Sequence, residues 1–399
     1  MSIPNGAAAA IPNLATVAPR SSPLSTGRIT SIDALRGFVM LLMLVDHTRE
    51  FFFLHAQVSD PMDVAATDPA LFFTRLAAHL CAPIFILLTG LAAWLYAAPR
   101  GGAPAASAFL AKRGLFLIVL EVTVVSFAWN FDLAPPKMYL QVIWAIGLSM
   151  LALAALVHLP RGALAAVGLA IMLGHNLLDP ITFAPGTPGY ALWAVLHERN
   201  WIDLPWGAQI RTSYPVLPWI GVIAIGYAIG PWFARDMDPL RRRRALVMAG
   251  MGALLGFFKL RLFNGYGETQ PWQVLDSGMR TVMSFLNLTK YPPSADFLLL
   301  TLGCGAWLLA GFERLPRRSL AMLTVLGSVP LFFYVIHLYL LHALNRMVAA
   351  LTEANGLMSL PSVGSLWVMA ALISVPCWFA CRRFGSVKRS SNAWWMRYL

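Results

Sequence analysis

The sequence predicts an all-α, polytopic helical membrane protein of about ten transmembrane helices, with both termini cytoplasmic. Three observations lead there. The 399 residues are 58% hydrophobic and only 12% charged, with a mean hydropathy of +0.65, too apolar for a soluble globular domain. Apolar runs of membrane length recur while alternating strand patterns do not, so helices satisfy the backbone in lipid. The basic residues cluster in short loops between those runs, which makes the net charge of +12 an orientation signal rather than a nucleic-acid footprint.

Residues 1–28 are rich in Ala, Pro and Ser and lack the apolar core of a signal peptide, so they read as a disordered cytoplasmic tail. Ten apolar runs follow, near 31–53, 71–97, 114–131, 139–158, 162–178, 214–234, 245–263, 294–312, 319–343 and 363–381. They make residues 29–385 one transmembrane domain, with 386–399 a basic cytoplasmic C-terminal tail. With the N-terminus inside, every cytoplasmic loop carries a basic residue, and the RRRR run at 241–244 casts the strongest vote. The outer segments 179–213 and 264–293 are long and rich in Trp, Pro and Gly, as suits a covered mouth. The run at 162–178 is short and ends in His175 and Asn176. Cys81, Cys304, Cys377 and Cys381 all fall in apolar runs and read as packing residues.

The first run carries the most information. Asp33 and Arg36 stand at one end, and Asp46, His47 and Arg49 at the other. Ionisable groups are costly inside a spanning helix and usually face a cavity or a partner. Arg36, Met40, Met43 and His47 are spaced 4, 3 and 4 apart, so they share one stripe. His79 follows Arg75 by one turn, and Tyr334, His337, Leu341 and Asn345 form another stripe. Lys290 and Tyr291 precede two prolines at an outer entrance. These groups are expected around one outward-facing cavity.

Each has a plainer reading. A histidine in an apolar helix is commonly a hydrogen-bonded packing residue, and His342 fits an interface. Asp33 and Arg36 fit an i, i+3 pair near a Ser31 cap. Lys290 fits a side chain reaching for headgroups. No HxH or HxxxH pair with acidic partners occurs, so no metal is expected. The chain has no phosphate-binding Gly-rich loop and no GxSxG elbow, which argues against ATP-driven pumping and serine hydrolysis.

The words SIDALRGFVMLLMLVDH, LFFTRLAAHLCAPIFILLTG, YPVLPWIGV, FLNLTKYPPS and VPLFFYVIHLYLLH occur in that order. Together they resemble bacterial membrane proteins related to heparan-α-glucosaminide N-acetyltransferase, within the transmembrane acyltransferases, from about residue 28 to residue 345. The resemblance implies a multi-helix enzyme that moves an acetyl group from cytosolic acetyl-CoA to a glucosamine across the membrane, with a membrane histidine as the catalytic group. Asp33, Arg36 and Gly37 match the family's opening motif, and His47 matches the histidine of the bacterial branch. The lysosomal relative carries its histidine further along, where this chain has His55; His47 is the favoured candidate.

The expected function is an acyltransferase of the bacterial inner membrane, using acetyl-CoA as donor and a sugar amine or hydroxyl on the outer side as acceptor. His47, Asp46, His79 and His337 are the candidate catalytic residues. Arg36, Asp33, Lys290 and Tyr291 are the candidates for the donor, with Lys290, Tyr291 or His79 also placed to stabilise an oxyanion. General-base catalysis and an acyl-histidine both remain open. Expected partners are acyl-CoA, a glycan or glycolipid, and membrane lipids; a homodimer is admitted and nucleic acid is not expected. The alternative class is a transporter or flippase without covalent chemistry, in which the buried ionisable groups form a substrate or proton path.

Overall fold

The computed structural model describes residues 29–53, 62–352, 360–391, 393 and 396. Its helices are α1 (Thr30–Phe52), α2 (Pro69–Ala78), α3 (Cys81–Ala97), α4 (Ala103–Leu120), α5 (Ser126–Asn130), α6 (Val142–Leu156), α7 (Arg161–Gly174), α8 (Tyr190–Leu196), α9 (Leu217–Ala228), α10 (Pro239–Phe263), α11 (Gly278–Leu286), α12 (Ala295–Phe312), α13 (Ala321–Gly327), α14 (Pro330–Thr352) and α15 (Val363–Ser390). Three short strands, β1 (Lys137–Leu140), β2 (Trp201–Asp203) and β3 (Gln209–Thr212), form one sheet in the order β1-β3-β2. β1 runs parallel to β3, and β2 antiparallel to it.

This is an all-α, multi-pass membrane protein. Among the described residues, six stretches are long and apolar enough to cross a membrane: Pro69–Arg100, Arg161–Leu178, Pro239–Phe263, Ala295–Phe312, Pro330–Leu351 and Val363–Ser390. That corrects the expected count of ten, although a helix stands at each of the ten expected places. The reasons differ by helix. α6 and α9 are shorter apolar helices. α1 is interrupted by Asp33, Arg36, Asp46, Arg49 and Glu50. The run after residue 103 is divided into α4 and α5 by a π turn at Glu121–Val125, the kind of irregularity often found beside functional sites.

Two spans expected to be continuous are broken, and proline explains both. The ring of Pro83 would meet the carbonyl of His79 in an unbroken helix, and it offers no N–H to that carbonyl. α2 therefore ends at Ala78, α3 begins at Cys81, and His79 stands in the joint. Pro330 likewise opens α14 after α13 has closed at Gly327, a position where its missing N–H costs nothing. Helix starts follow local chemistry elsewhere too. Asp68, Asp238 and Ser294 cap α2, α10 and α12 with their side-chain oxygens, and Ser362 with Ser365 forms a capping box on α15. α15 continues to Ser390, into the first residues of the expected C-terminal tail.

α1 is the central helix, in contact with α2, α3, α12, α13, α14 and α15. Lipid supplies little hydrophobic drive between helices, so close packing of small residues holds membrane bundles together. A Cβ on Gly37 would fall 2.0 Å from the Leu323 carbonyl oxygen, and one on Gly327 would fall 1.8 Å from that of Asp33. The glycine of the opening motif is therefore the contact that lets α13 lie against α1. On the outside, Leu255, Phe258 and Leu262 of α10 and Val368, Leu372 and Phe379 of α15 are exposed, as lipid-facing surfaces require.

The loop-rich end of the bundle is organised by buried polar groups. Arg261, 1% exposed, donates 2.9 Å hydrogen bonds to the carbonyls of Gln270, Ser284, Phe285 and Asn287. Glu268 accepts from the Thr289 amide at 2.8 Å and the Ser294 hydroxyl at 2.7 Å. These bonds fold the 264–293 segment back over the end of α1.

Replacing Gly37 with Val should destabilise the protein by about 1–3 kcal/mol, the usual cost of overpacking. The check is the thermal midpoint of the detergent-purified variant, and an unchanged midpoint would contradict the close α1–α13 contact.

Candidate active site

The stripe on α1 ends at a chamber of about 740 Å³ at the loop-rich end. Asp46, His47, Arg75, His79, Lys290 and Tyr291 all line it, so residues from α1, the α2–α3 joint and the turn before α12 converge as the spacing suggested. Arg199 and Tyr214, near the small sheet, line it too, as do Trp129 and Asn130 of α5.

His47 is half-buried, and its Nδ1 lies 2.7 Å from Nε2 of His337. The two rings stack with centroids 5.0 Å apart. His337 Nδ1 lies 2.8 Å from the Phe333 carbonyl oxygen. A carbonyl can only accept, so His337 Nδ1 must carry a proton. With both rings neutral, His337 Nε2 is then the acceptor and His47 Nδ1 the donor. The Phe333 carbonyl, one turn before His337 on α14, thereby sets both tautomers. It leaves the lone pair of His47 on Nε2, an atom that makes no hydrogen bond among the described residues. Trp129 packs edge-on to His47 at 5.2 Å and Tyr334 at 6.1 Å.

Asp46 does not contact His47. Arg49 Nε donates to Asp46 Oδ1 at 3.2 Å, and Arg75 donates to Oδ2. Arg49 also pairs with Glu50. The carboxylate thus spends both oxygens on neutralising buried guanidinium groups and joining α1 to α2. His79 is 1% exposed, and neither of its ring nitrogens has a hydrogen-bond partner among the described residues. Lys290 lies 5.3 Å from the Tyr291 ring centre, with Arg199 4.7 Å from the same ring. The Tyr291 and Tyr214 hydroxyls are 3.3 Å apart. Burial disfavours the Tyr291 phenolate, but the Lys290 and Arg75 charges outweigh it and hold that phenol below its ordinary value. Burial together with Tyr291 drives the Tyr214 phenol upward.

Asp33 and Arg36 sit at the opposite end of α1, roughly 21 and 16 Å from His47 at 1.5 Å per residue. Arg36 contacts Asp33 Oδ1 at 3.4 Å and donates to the Leu88 carbonyl at 3.1 Å. It lines a cavity of about 270 Å³ with Arg113, Lys388, Met43 and Tyr334. A neighbouring cavity of about 610 Å³ shares Arg36 and is bordered by Arg100 and Arg235. The candidates for the donor therefore divide, with Lys290 and Tyr291 in the chamber and Asp33 and Arg36 beyond the histidine pair. Met43 and Tyr334, in the inner cavity wall, lie one turn before His47 and His337. Arg242 of the RRRR run pairs with Glu313 at 2.6 Å.

A family profile described as "Heparan-alpha-glucosaminide N-acetyltransferase, catalytic" matches residues 28–261, more than half of the chain. The chain belongs to this family. Comparison with curated proteins returns no significant match. Membership in the heparan-α-glucosaminide N-acetyltransferase family makes the protein a member of a group of membrane acetyltransferases. The match includes Asp33, Arg36, Asp46, His47, Arg75 and His79 and ends before Lys290, Tyr291 and His337, which the fold itself brings to the same place.

Other polar groups have structural partners. His342 Nδ1 donates to the Ala128 carbonyl at 2.8 Å, and its ring stacks on Phe131. Asn345 donates to the Phe51 carbonyl at 2.8 Å and lines the chamber. The four cysteines are free thiols. His55 lies outside the described residues. The residues missed from sequence are Trp129, Asn130, Arg199, Tyr214 and Glu121. Of these, Trp129–Asn130 carried a signal, as a polar and aromatic pair closing an apolar run. Glu121 carried another, as a lone acid within it; its carboxylate accepts from the Gln141 and Trp144 amides at 2.9 and 3.2 Å and so caps α6.

Replacing Asp46 with Asn should leave Arg75 without its paired carboxylate and Arg49 with Glu50 alone, and cost about 3–5 kcal/mol. The check is the unfolding midpoint against wild type, and a loss below about 1 kcal/mol, as for a surface pair, would show the charges to be solvated.

Proposed function

We propose that this protein transfers an acyl group, acetyl by family likeness, from acyl-CoA to an amine or hydroxyl of a glycan or glycolipid, with His47 as the catalytic base. The observation that carries the reading is the Phe333–His337–His47 relay, which leaves an unprotonated Nε2 facing a roomy polar chamber. The acceptor would occupy that chamber, whose amide, phenol and charged groups suit a hydroxylated molecule. The donor would approach from the Arg36 end. Its phosphates would meet Arg36, Arg100, Arg113, Arg235 and Lys388, and its pantetheine arm would extend toward Met43 and Tyr334. Basic loops at that end favour a cytoplasmic orientation for it, in a bacterial inner membrane.

In the reaction, the acceptor nitrogen or oxygen attacks the thioester carbonyl while His47 Nε2 takes its proton. The carbonyl π electrons move onto oxygen, where Tyr291 and Lys290 are placed to donate. Collapse of the tetrahedral species breaks the C–S bond, and His47 returns the proton to the departing thiolate. His337 keeps His47 oriented throughout and stabilises the imidazolium through its own Nε2 lone pair. Asp46 acts through Arg75 and Arg49, holding the chamber wall in place.

His47→Ala should lower acetyl transfer by about 10²–10⁴-fold, the usual worth of general-base help, while the variant still purifies as a folded protein. Transfer of label from acetyl-CoA by detergent-solubilised protein is the assay, because a carrier would give no turnover there. Wild-type rates in His47→Ala would remove this histidine from the chemistry. Label remaining on acid-quenched protein without acceptor would replace base catalysis with an acyl-imidazole route.

The phenol of Tyr291 can donate only when protonated, so turnover should fall as pH rises through its pKa. That limb should lie below the ordinary tyrosine value because Lys290 and Arg75 favour the phenolate. In Tyr291→Phe the limb should disappear and the maximal rate drop by up to about 10²–10³-fold, as when an oxyanion donor is lost. A pH profile unchanged in Tyr291→Phe would exclude this role.

A further inference from the structure

A second cluster of ligating side chains lies outside the chamber. α7 ends at Gly174, and His175 begins the short turn that follows it, with Asp179 just beyond. His197 closes α8. One ligand atom from each of the three lies within 4.8 Å of the others. His175 and His197 are 2% and 3% exposed. None of the three lines the chamber with His47.

The local bonding is incomplete without a further group. Both ring nitrogens of His175 are buried, and among the described residues neither has a well-aligned hydrogen-bond partner; the Pro293 backbone beside the ring offers at most a weak one. Such buried orphans are uncommon and call for an explanation. His197 Nε2 lies 3.5 Å from Asp179 Oδ1 and 2.8 Å from the His175 carbonyl oxygen. Asp179 Oδ2 accepts from Asn176 at 2.9 Å, which turns Oδ1 toward the histidines. Trp193 stacks on His197 with centroids 5.0 Å apart and planes 8° from parallel, which fixes that ring's orientation.

We propose that His175, Asp179 and His197 form a structural site for a divalent transition ion, zinc by donor chemistry. Two imidazoles and one carboxylate suit zinc. With metal–ligand bonds of about 2.0–2.2 Å, tetrahedral ligands stand roughly 3.3 Å apart. The ligand atoms, within 4.8 Å of one another, thus need to close by up to about 1.5 Å. On binding, His197 gives up its Nε2–H bond to the His175 carbonyl, which must turn aside, carries its proton on Nδ1 instead and coordinates through Nε2, so no proton is released. Asn176 supplies the outer support that metal sites depend on, and its own oxygen accepts from the Ala295 amide at 2.9 Å. The ion would therefore fasten the end of α7 and the α8–β2 segment to the start of α12. Arg199 and Tyr214, which follow His197, reach the chamber from that clasp.

The test uses full-length protein in detergent, stripped with chelator and titrated with zinc chloride, with bound metal counted by mass spectrometry after gel filtration. Wild type should retain about one zinc per chain and melt at a higher temperature with zinc than without. Asp179→Asn, at a partly exposed ligand whose loss the fold should tolerate, should bind zinc at least tenfold more weakly, as should His175→Gln. A His47→Gln, His337→Gln double variant should bind as wild type does, which separates this site from the other histidine pair. Cobalt(II) bound in place of zinc should show ligand-field bands that Asp179→Asn alters. Absence of stoichiometric metal in wild type, or loss of binding that follows His47 and His337 instead, would overturn the proposal.

Discussion

An ionisable group in the apolar interior must find a partner or lose several kcal/mol, and that requirement shapes the end of the bundle where His47 stands. Asp46 neutralises Arg49 and Arg75. Arg261 is enclosed by four carbonyls. Glu121 caps α6. Each of these groups is committed to holding structure. Two imidazoles of the chamber are less committed: His47 Nε2 and both ring nitrogens of His79 have no hydrogen-bond partner among the described residues.

The two ends of α1 do different work, and the histidine pair divides them. Toward Arg36 the cavity wall is apolar, with cations near its edge, which suits a long flexible donor with an anionic end. Toward Lys290 the wall is crowded with hydrogen-bonding groups, which suits a small hydroxylated acceptor. The close contact at Gly37 and Gly327 supports this division, since it fixes α13, and α14 after it, against α1.

Much of this was legible in the chain. The 4, 3 and 4 spacing from Arg36 to His47 placed a guanidinium and an imidazole at opposite ends of one helix face, and the stripe on α14 put Tyr334 and His337 together. The ten helical positions followed from hydropathy, although only six of them meet the demands of length and composition for a crossing. Of the others, α6 and α9 are shorter, α1 carries charged residues, and the run of α4 and α5 is divided by a π turn. The breaks at His79 and Val329 were also implicit, in Pro83 and Pro330.

By itself the sequence determined the class of the protein, its family, and that Arg36 and His47 share one face of the first helix, because motifs, periodicity and hydropathy are local properties of the chain. Only the tertiary structure decided which nitrogen of His47 is free, that Asp46 serves arginines, and that His175, Asp179 and His197 meet. Those outcomes depend on contacts between segments hundreds of residues apart or across folded loops, and a hydrogen bond's direction is set by the partner that packing supplies.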